Sequence, residues 1–261
     1  MAYEQILSET DGRVGIIRLN RPEKLNAWGP EMAGEMEDQI QRWNDDDDIG
    51  AFVVTGEGRA FCAGADLDRF SRRIDETPSR SEESNFSNSI TDLLRISKPS
   101  VFALNGYAVG VGLTMTLPGD VRIASTDALL SIRFIKVGLM PELGSTRLLP
   151  QLVGLGHATD MCLTGRMVDA DEAMRIGLVT EVVEPDQLME AAMKKARELA
   201  ANPTPAVMLV KQLLADNPSE SRLDLVMERE QVRDRIARNW PEHAEALSAF
   251  NEKREPKFFD K

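Results

Sequence analysis

The stretch Asn105-Gly106-Tyr107-Ala108-Val109-Gly110-Val111-Gly112-Leu113-Thr114-Met115 decides the fold. It follows an apolar run, Val101-Phe102-Ala103-Leu104, that predicts a buried strand, and it leads into a further apolar segment that can form a helix. The start of a helix leaves backbone N–H groups without partners, and its dipole favours negative charge. Taken alone, the pattern also suits a tight strand-to-helix connection in a core.

A second stretch repeats this design. Gly58-Arg59-Ala60-Phe61-Cys62-Ala63-Gly64-Ala65-Asp66-Leu67 follows another apolar run, Ala51-Phe52-Val53-Val54-Thr55, and it is also small, apolar and rich in glycine. Two such loops can each present one N–H group to the same oxygen atom. The pair therefore indicates an oxyanion hole, which stabilises negative charge on a reacting carbonyl oxygen.

With Arg21-Pro22-Glu23-Lys24-Leu25-Asn26-Ala27 upstream, the two stretches resemble the signature of the enoyl-CoA hydratase/isomerase superfamily, the crotonases. The resemblance extends from Ile16 to Phe258. It implies an α/β fold, a crotonase-like spiral of ββα units with a C-terminal helical oligomerisation region that builds trimers or pairs of trimers. It also implies an acyl-CoA thioester substrate, whose coenzyme A belongs to the substrate, and no separate cofactor.

The composition limits the other possibilities. The 261 residues are 42% hydrophobic and 28% charged, and the net charge of −12 disfavours nucleic acid and anionic membranes as partners. The two cysteines make neither a disulfide framework nor a metal-binding pattern. The sequence has no apolar run long enough to span a membrane and no signal-peptide pattern. We therefore expect a cytoplasmic protein. Because the chain has only two histidines, a Ser–His or Cys–His nucleophilic site is disfavoured.

The periodicity of the remaining chain predicts its organisation. A strand is expected over 13–19 after a turn at Asp11-Gly12, and a helix from Pro30 with an apolar face. Strand-like segments near residues 14, 52 and 101 repeat about every 40–50 residues and suggest a stacked arrangement. A further strand is expected over 120–124, and the polar residues 68–84 suggest a mobile loop. We expect a spiral core over residues 1–200 and a helical trimerisation region over 201–261. Within the core, a capping box at Asp169 to Glu172 predicts the start of a helix.

The resemblance assigns binding roles by position. The oxyanion N–H groups fall on Ala65 and Val111. The family usually has glycine at the position of Val111; valine keeps the backbone N–H donor, and its methyl groups narrow the pocket. Residues expected to hold coenzyme A or the acyl group are Lys24, Leu25, Ala63, Asp66, Leu67, Phe134, Lys257 and Phe258. Lys24 could also be an ordinary exposed lysine, and Asp66 is better suited to hold its loop than to act as a base.

The acid/base residue determines the reaction. Hydratases of the family hold a water between two glutamates, and this chain has Thr114 and Phe134 at those positions, neither of which can serve as a base. The segment Gly138-Leu139-Met140-Pro141-Glu142-Leu143-Gly144-Ser145-Thr146 matches the loop in which double-bond isomerases carry a carboxylate. Glu142 is therefore the predicted catalytic residue, and its apolar neighbours would raise its pKa toward neutrality. The alternative is an ordinary surface carboxylate after Pro141.

Four functions follow in order of preference. The first is an enoyl-CoA isomerase that uses Glu142 alone, and the second is an enoyl-CoA hydratase or another lyase. The third is an isomerase that modifies the ring of an aromatic-derived CoA ester, and the fourth is an acyl-CoA-binding protein without catalysis. A dinucleotide-binding enzyme is disfavoured because Gly110-Val111-Gly112 lacks the third glycine of that fingerprint, and no metal site is expected.

Overall fold

A computed structural model describes residues 3–66 and 86–259. Leu67 and the predicted mobile loop over 68–84 lie outside these ranges. The strands are β1 (Ile6–Asp11), β2 (Val14–Leu19), β3 (Ala51–Gly56), β4 (Ala60–Cys62), β5 (Ser100–Leu104), β6 (Tyr107–Val109), β7 (Val121–Ser125), β8 (Leu129–Ser131), β9 (Val168–Asp169) and β10 (Glu181–Val183).

The α-helices are α1 (Pro30–Asn44), α2 (Phe86–Ile96), α3 (Val111–Thr114), α4 (Ser145–Thr164), α5 (Ala170–Arg175), α6 (Leu188–Ala200), α7 (Thr204–Asp216), α8 (Leu223–Ala237) and α9 (Pro241–Glu252). Short 3-10 turns cover Pro22–Lys24, Arg133–Val137, Pro185–Gln187 and Asn217–Ser219. In the described part of the chain, no helix is both long and apolar enough to cross a membrane.

The strands form two sheets that the chain visits in turn. The six-stranded sheet has the order β1-β2-β3-β5-β7-β10, and the four-stranded sheet has the order β4-β6-β8-β9. Strands β3, β5 and β7 each join the larger sheet, and the strand after each of them joins the smaller one before a helix follows. This is the predicted spiral of ββα units, and the mixed α/β class is confirmed.

Alternating side chains bury both faces of the larger sheet. Val53 and Val101 lie in one buried cluster with Leu188 and Ala192 of α6, while Phe52 and Phe102 point into the main core. The predicted apolar face of α1 is also confirmed, since Met32, Met36, Ile40 and Trp43 are all buried. A period-two pattern with both faces apolar is what a parallel sheet covered on two sides requires.

The repeat differs from the prediction in its spacing. Helix α3 contains only four residues, so the next strand of the larger sheet begins at Val121, far sooner than a spacing of 40 to 50 residues would give. The spacing is short because a few turns after Thr114 already return the chain to the larger sheet. Half of the capping box is present: Glu172 N–H donates to the Asp169 carboxylate, whereas the Glu172 carboxylate accepts from Arg166.

The C-terminal helices carry apolar side chains that this chain does not cover. Those at least 46% exposed are Val210, Leu214, Leu223, Met227, Val232, Ile236, Leu247 and Phe250. Helix α7 is attached to the core, because Lys211 Nζ lies 2.7 Å from the Asp120 carboxylate. The boundary near residue 200 and the trimer remain predictions.

Candidate active site

Two backbone loops meet where strands β4 and β6 end. These strands pair in parallel, with Cys62 beside Ala108, so residues 63–66 run next to residues 109–112. The contact is between backbones: a Cβ atom on Gly112 would lie 2.1 Å from the Cys62 carbonyl oxygen. Any residue larger than glycine at position 112 would therefore force the loops apart. The sequence-predicted loops are thus brought together.

The loop over residues 21–28 fixes the direction of the Ala65 N–H group. Trp28 pairs in parallel with Ala65, and its N–H and C=O groups bond to Gly64 O and Asp66 N–H at 2.8 and 3.1 Å. In such a bridge the N–H group of Ala65 points away from Trp28. It meets no acceptor among residues 3–66 and 86–259.

Val111 supplies the second N–H group. Gly110 turns the chain with φ of 57°, and its own N–H donates to Ser131 O at 2.9 Å. Val111 is the first residue of α3, where no intrahelical partner exists for its N–H. Within the described ranges this N–H has no acceptor either, and Val111 itself is only 3% exposed. Two donors from adjacent segments are therefore available at one place.

A buried polar network holds the first of these loops. Asn26 is fully buried; its side-chain nitrogen donates to Glu57 O and Ala60 O, and its side-chain oxygen accepts from Arg21 N–H. The Arg21 guanidinium donates to the Asp66 carboxylate at 3.0 Å and to Ala27 O at 2.9 Å. Sequence reasoning missed Arg21 and Asn26 as positioning residues, although both lie in the Arg21–Ala27 segment that carries the resemblance.

The predicted coenzyme A residues fall into three groups. Lys24, Leu25, Ala63 and Asp66 come together: Ala63 N–H donates to Leu25 O at 3.0 Å, and Lys24 Nζ lies 3.5 Å from the Asp66 carboxylate. Leu67 is outside the described residues. Asp66 is 8% exposed, and its carboxylate lies closer to the Arg21 guanidinium, at 3.0 Å, than to Lys24 Nζ, at 3.5 Å. This agrees with the predicted role of Asp66 in holding its loop.

Lys257 and Phe258 form the third group; within one chain they lie among the C-terminal helices, and their role at coenzyme A stays a prediction. Lys257 N–H donates to the Glu245 carboxylate, and Phe258 lines a cavity of about 290 Å³ among the C-terminal helices. The neighbouring Phe259 stacks on Arg13, at the edge where the parallel strands begin. The Ala65 and Val111 loops follow the carboxyl ends of strands β4 and β6.

The Glu142 segment approaches the Gly110 turn through Phe134. The Phe134 ring lies 3.9 Å from the position of a Gly110 Cβ atom, and Phe134 O accepts from Leu139 N–H at 3.0 Å. Leu143 is 5% exposed and belongs to the same core cluster as Val111. Residues 134 to 143 therefore fold back beside the turn that leads into Val111.

The backbone around Glu142 is unusual. Leu143 adopts a φ of 58° and Gly144 a φ of 69°, and a bulky residue such as leucine rarely takes positive φ. Such strain persists where the surrounding structure enforces it, commonly at functional sites. Here it buries the Leu143 side chain while Glu142 stays exposed at the surface of the loop.

The chemistry of the ionisable groups distinguishes their roles. Glu142 is exposed as a residue, yet loss of water around its carboxyl raises its pKa above the usual value of 4.5. Burial raises the pKa of the Cys62 thiol to about 12, which excludes a thiolate nucleophile at this position. Thr114 is fully buried and carries no titratable group. No cluster of three metal-ligating side chains occurs among the described residues.

Comparison with known proteins gives a consistent result. The enoyl-CoA hydratase/isomerase family profile matches residues 9–261. Two relatives are a 1,2-epoxyphenylacetyl-CoA isomerase of Escherichia coli, 35% identical with 99% of each chain covered, and a crotonyl-CoA hydratase of Syntrophomonas wolfei, 32% identical with 100% of each covered. An enoyl-CoA hydratase structure from Geobacillus kaustophilus has a TM-score of 0.91 at 33% identity and 99% coverage of both chains. The chain belongs to the enoyl-CoA hydratase/isomerase family of enzymes, which act on acyl-CoA thioesters.

Proposed function

We propose that the protein is an enoyl-CoA isomerase with one catalytic carboxylate, Glu142, and an oxyanion hole made by the N–H groups of Ala65 and Val111. The observation that carries this proposal is the raised pKa of Glu142 in the segment that folds back beside the Gly110 turn. A base with a pKa nearer to neutral pH transfers protons more effectively. The coenzyme A belongs to the substrate, and we expect no separate cofactor.

The reaction moves one proton across the acyl chain. The Glu142 carboxylate takes the C2 proton of a 3-enoyl-CoA, and the electron pair of the broken C–H bond forms a dienolate whose negative charge lies on the thioester oxygen. The two N–H groups bind that oxygen more strongly as its charge grows, which lowers the barrier. The Glu142 acid then returns the proton to C4, and the double bond ends between C2 and C3.

Two side chains disfavour the hydratase alternative. Hydration by the two-glutamate mechanism needs a second carboxylate to hold water, and Thr114 is a fully buried hydroxyl while Phe134 presents an aromatic ring near Gly110. An apolar ring at this place excludes water from the reacting carbons. A carbanion-like intermediate is then protonated by Glu142 without competition from water.

One comparison favours a second candidate. The Escherichia coli relative is a 1,2-epoxyphenylacetyl-CoA isomerase, which acts on a ring-bearing CoA ester. Phe134 offers this chain a flat apolar surface against which a ring could stack. We therefore include a ring-modifying isomerase of aromatic-derived CoA esters as the alternative, and a substrate panel of linear 3-enoyl-CoA and epoxyphenylacetyl-CoA separates the two.

Coenzyme A binding and assembly complete the proposal. Lys24 is 43% exposed and shares the Asp66 carboxylate with Arg21, so its ammonium can turn to a coenzyme A phosphate while Arg21 still holds Asp66. The exposed apolar side chains of α7 to α9 support a homotrimer or a pair of trimers. In such an assembly, Lys257 and Phe258 would approach the coenzyme A of a neighbouring subunit.

Replacing Glu142 tests the acid/base assignment. We expect Glu142→Gln to lower kcat for conversion of a 3-enoyl-CoA to a 2-enoyl-CoA by about 10² to 10⁴, because the amide cannot accept the proton. Glu190→Gln, an exposed carboxylate on α6, is the matched control and should retain wild-type activity. The assay follows formation of the conjugated product. Hydration of 2-enoyl-CoA by the wild type without isomerisation would contradict the assignment.

The oxyanion hole is tested through Gly112. In Gly112→Ala the new methyl group would meet the Cys62 carbonyl at 2.1 Å, so the two donors must separate. Since a misplacement of about 1 Å can cost on the order of 10² in rate, we expect kcat/KM to fall by that order. Gly156→Ala, where no atom lies within 4 Å, is the control. Equal activity of the two variants would show that the close approach is not needed for catalysis.

The pH profile reports the charge state of the base. Catalysis requires the carboxylate form, so kcat/KM should rise with pH, with a midpoint above the ordinary glutamate pKa of 4.5. Because the pKa of Glu142 is higher in the folded protein than in the unfolded chain, ionisation of Glu142 destabilises the folded protein. This loss of stability develops as pH rises from the unfolded-state pKa through the folded-state pKa. Glu142→Gln should therefore melt at neutral pH no lower than the wild type. A midpoint at or below 4.5 would contradict the desolvated environment.

A further inference from the structure

One buried cation has no role in the chemistry described so far. Arg122 lies in β7 and is 3% exposed. Its guanidinium donates to three backbone carbonyls: Nε to Leu178 O at 2.9 Å, and Nη1 to Thr116 O at 2.9 Å and Gly119 O at 3.0 Å. A guanidinium bonded only to carbonyls keeps its full positive charge inside the protein.

The charge of Arg122 is poorly compensated. Asp120 is the carboxylate that acts on it, but Asp120 is already paired with Lys211 at 2.7 Å and accepts from Ser100. Burial lowers the pKa of Arg122 to about 10, so the side chain is still a cation at neutral pH. Burying a charge that is not fully neutralised costs free energy.

Two of the three carbonyls that Arg122 binds, Thr116 O and Gly119 O, belong to the segment from Val111 to Gly119, which we call the oxyanion segment. The helical turns that start at Val111 continue through Met115, whose N–H donates to Val111 O at 3.0 Å, and end at Gly119, whose N–H donates to Thr116 O at 3.1 Å. Gly112 fixes one end of this segment against Cys62, and Arg122 fixes the other. At a rise of about 1.5 Å per residue, the guanidinium lies on the order of 10 Å from the Val111 N–H.

We propose that Arg122 is a positioning residue for the oxyanion hole. It holds the segment from Val111 to Gly119 in place, and its buried charge favours the enolate form of the bound acyl group. The inference rests on the proposed function, because it takes the Val111 N–H as an oxyanion donor. A unit charge at about 10 Å in a medium of effective dielectric constant about 20 changes an equilibrium by on the order of tenfold. That factor is the expected contribution of Arg122.

Lys98 offers a matched control. It is 5% exposed, and its ammonium donates to Trp43 O at 2.7 Å and to Asp46 O, where α1 ends. It is thus a second buried cation that binds carbonyls at the end of a helix. Its site is at α1 and not in the oxyanion segment, so its loss should lower stability without changing the charge at the oxyanion hole.

The experiment uses acetoacetyl-CoA, a 3-oxoacyl-CoA whose enolate is read by its ultraviolet absorption. The wild type should raise the enolate fraction of the bound ligand above that in solution. Arg122→Gln keeps amide donors for the carbonyls but removes the charge, and should lower the enolate-to-keto ratio of the bound ligand on the order of tenfold. Arg122→Lys keeps the charge and should stay within about threefold of the wild type, while Lys98→Gln should leave the ratio unchanged.

A second readout separates charge from folding. Affinity for a thioether analogue of acyl-CoA, which lacks the carbonyl oxygen, should be the same in the wild type and all folded variants. If Arg122→Gln and Lys98→Gln change the enolate ratio equally, or if Arg122→Gln stays within twofold of the wild type, the inference is wrong and Arg122 is purely structural. If the wild type itself does not favour the enolate, the proposed oxyanion hole fails, and the inference fails with it.

Discussion

The backbone contact between the loop after β4 and the turn after β6 is the constraint on which the site depends. Asn105 holds these strands at their origin, because its side-chain oxygen accepts from Gly56 N–H and its nitrogen donates to Gly58 O. Gly112 then allows the second contact, against Cys62 O. Two N–H groups can face one oxygen only if their segments lie side by side, and these two contacts produce that arrangement.

The polar residues near the site serve this arrangement more than they serve the reaction. Asn26 satisfies two carbonyls and one N–H of neighbouring loops, and Arg21 neutralises Asp66. A buried network of this kind is stable only when each group is paired, so it fixes a single loop conformation. Glu142 is different, since its carboxyl gains a raised pKa from its surroundings and remains exposed. The residues that hold the loops are thus distinct from Glu142, the proposed base.

The sequence predicted those features that depend on local pattern. Alternating apolar residues located β2, β3 and β5, and the spacing of Met32 to Trp43 located the buried face of α1. It also predicted a strand over 120–124, where β7 lies, but not the length of α3, because nothing in the apolar run after Val111 indicates that the helix stops after four residues. The positions of Lys257 and Phe258 depend on the packing of distant helices, and their role at coenzyme A stays a prediction. Arg122 was missed because its bond to Leu178 O joins residues 56 positions apart and is visible only in the folded chain.

The most direct test of the account is the carbonyl stretching frequency of a bound acyl-CoA labelled with ¹³C at the thioester carbon, measured by difference infrared spectroscopy. Two N–H donors should polarise the carbonyl and shift the band to lower frequency relative to the free ligand. The shift should persist in Glu142→Gln, which keeps both donors, and disappear in Gly112→Ala, which separates them. A band at the solution frequency in the wild type would contradict the claim that these two loops form an oxyanion hole.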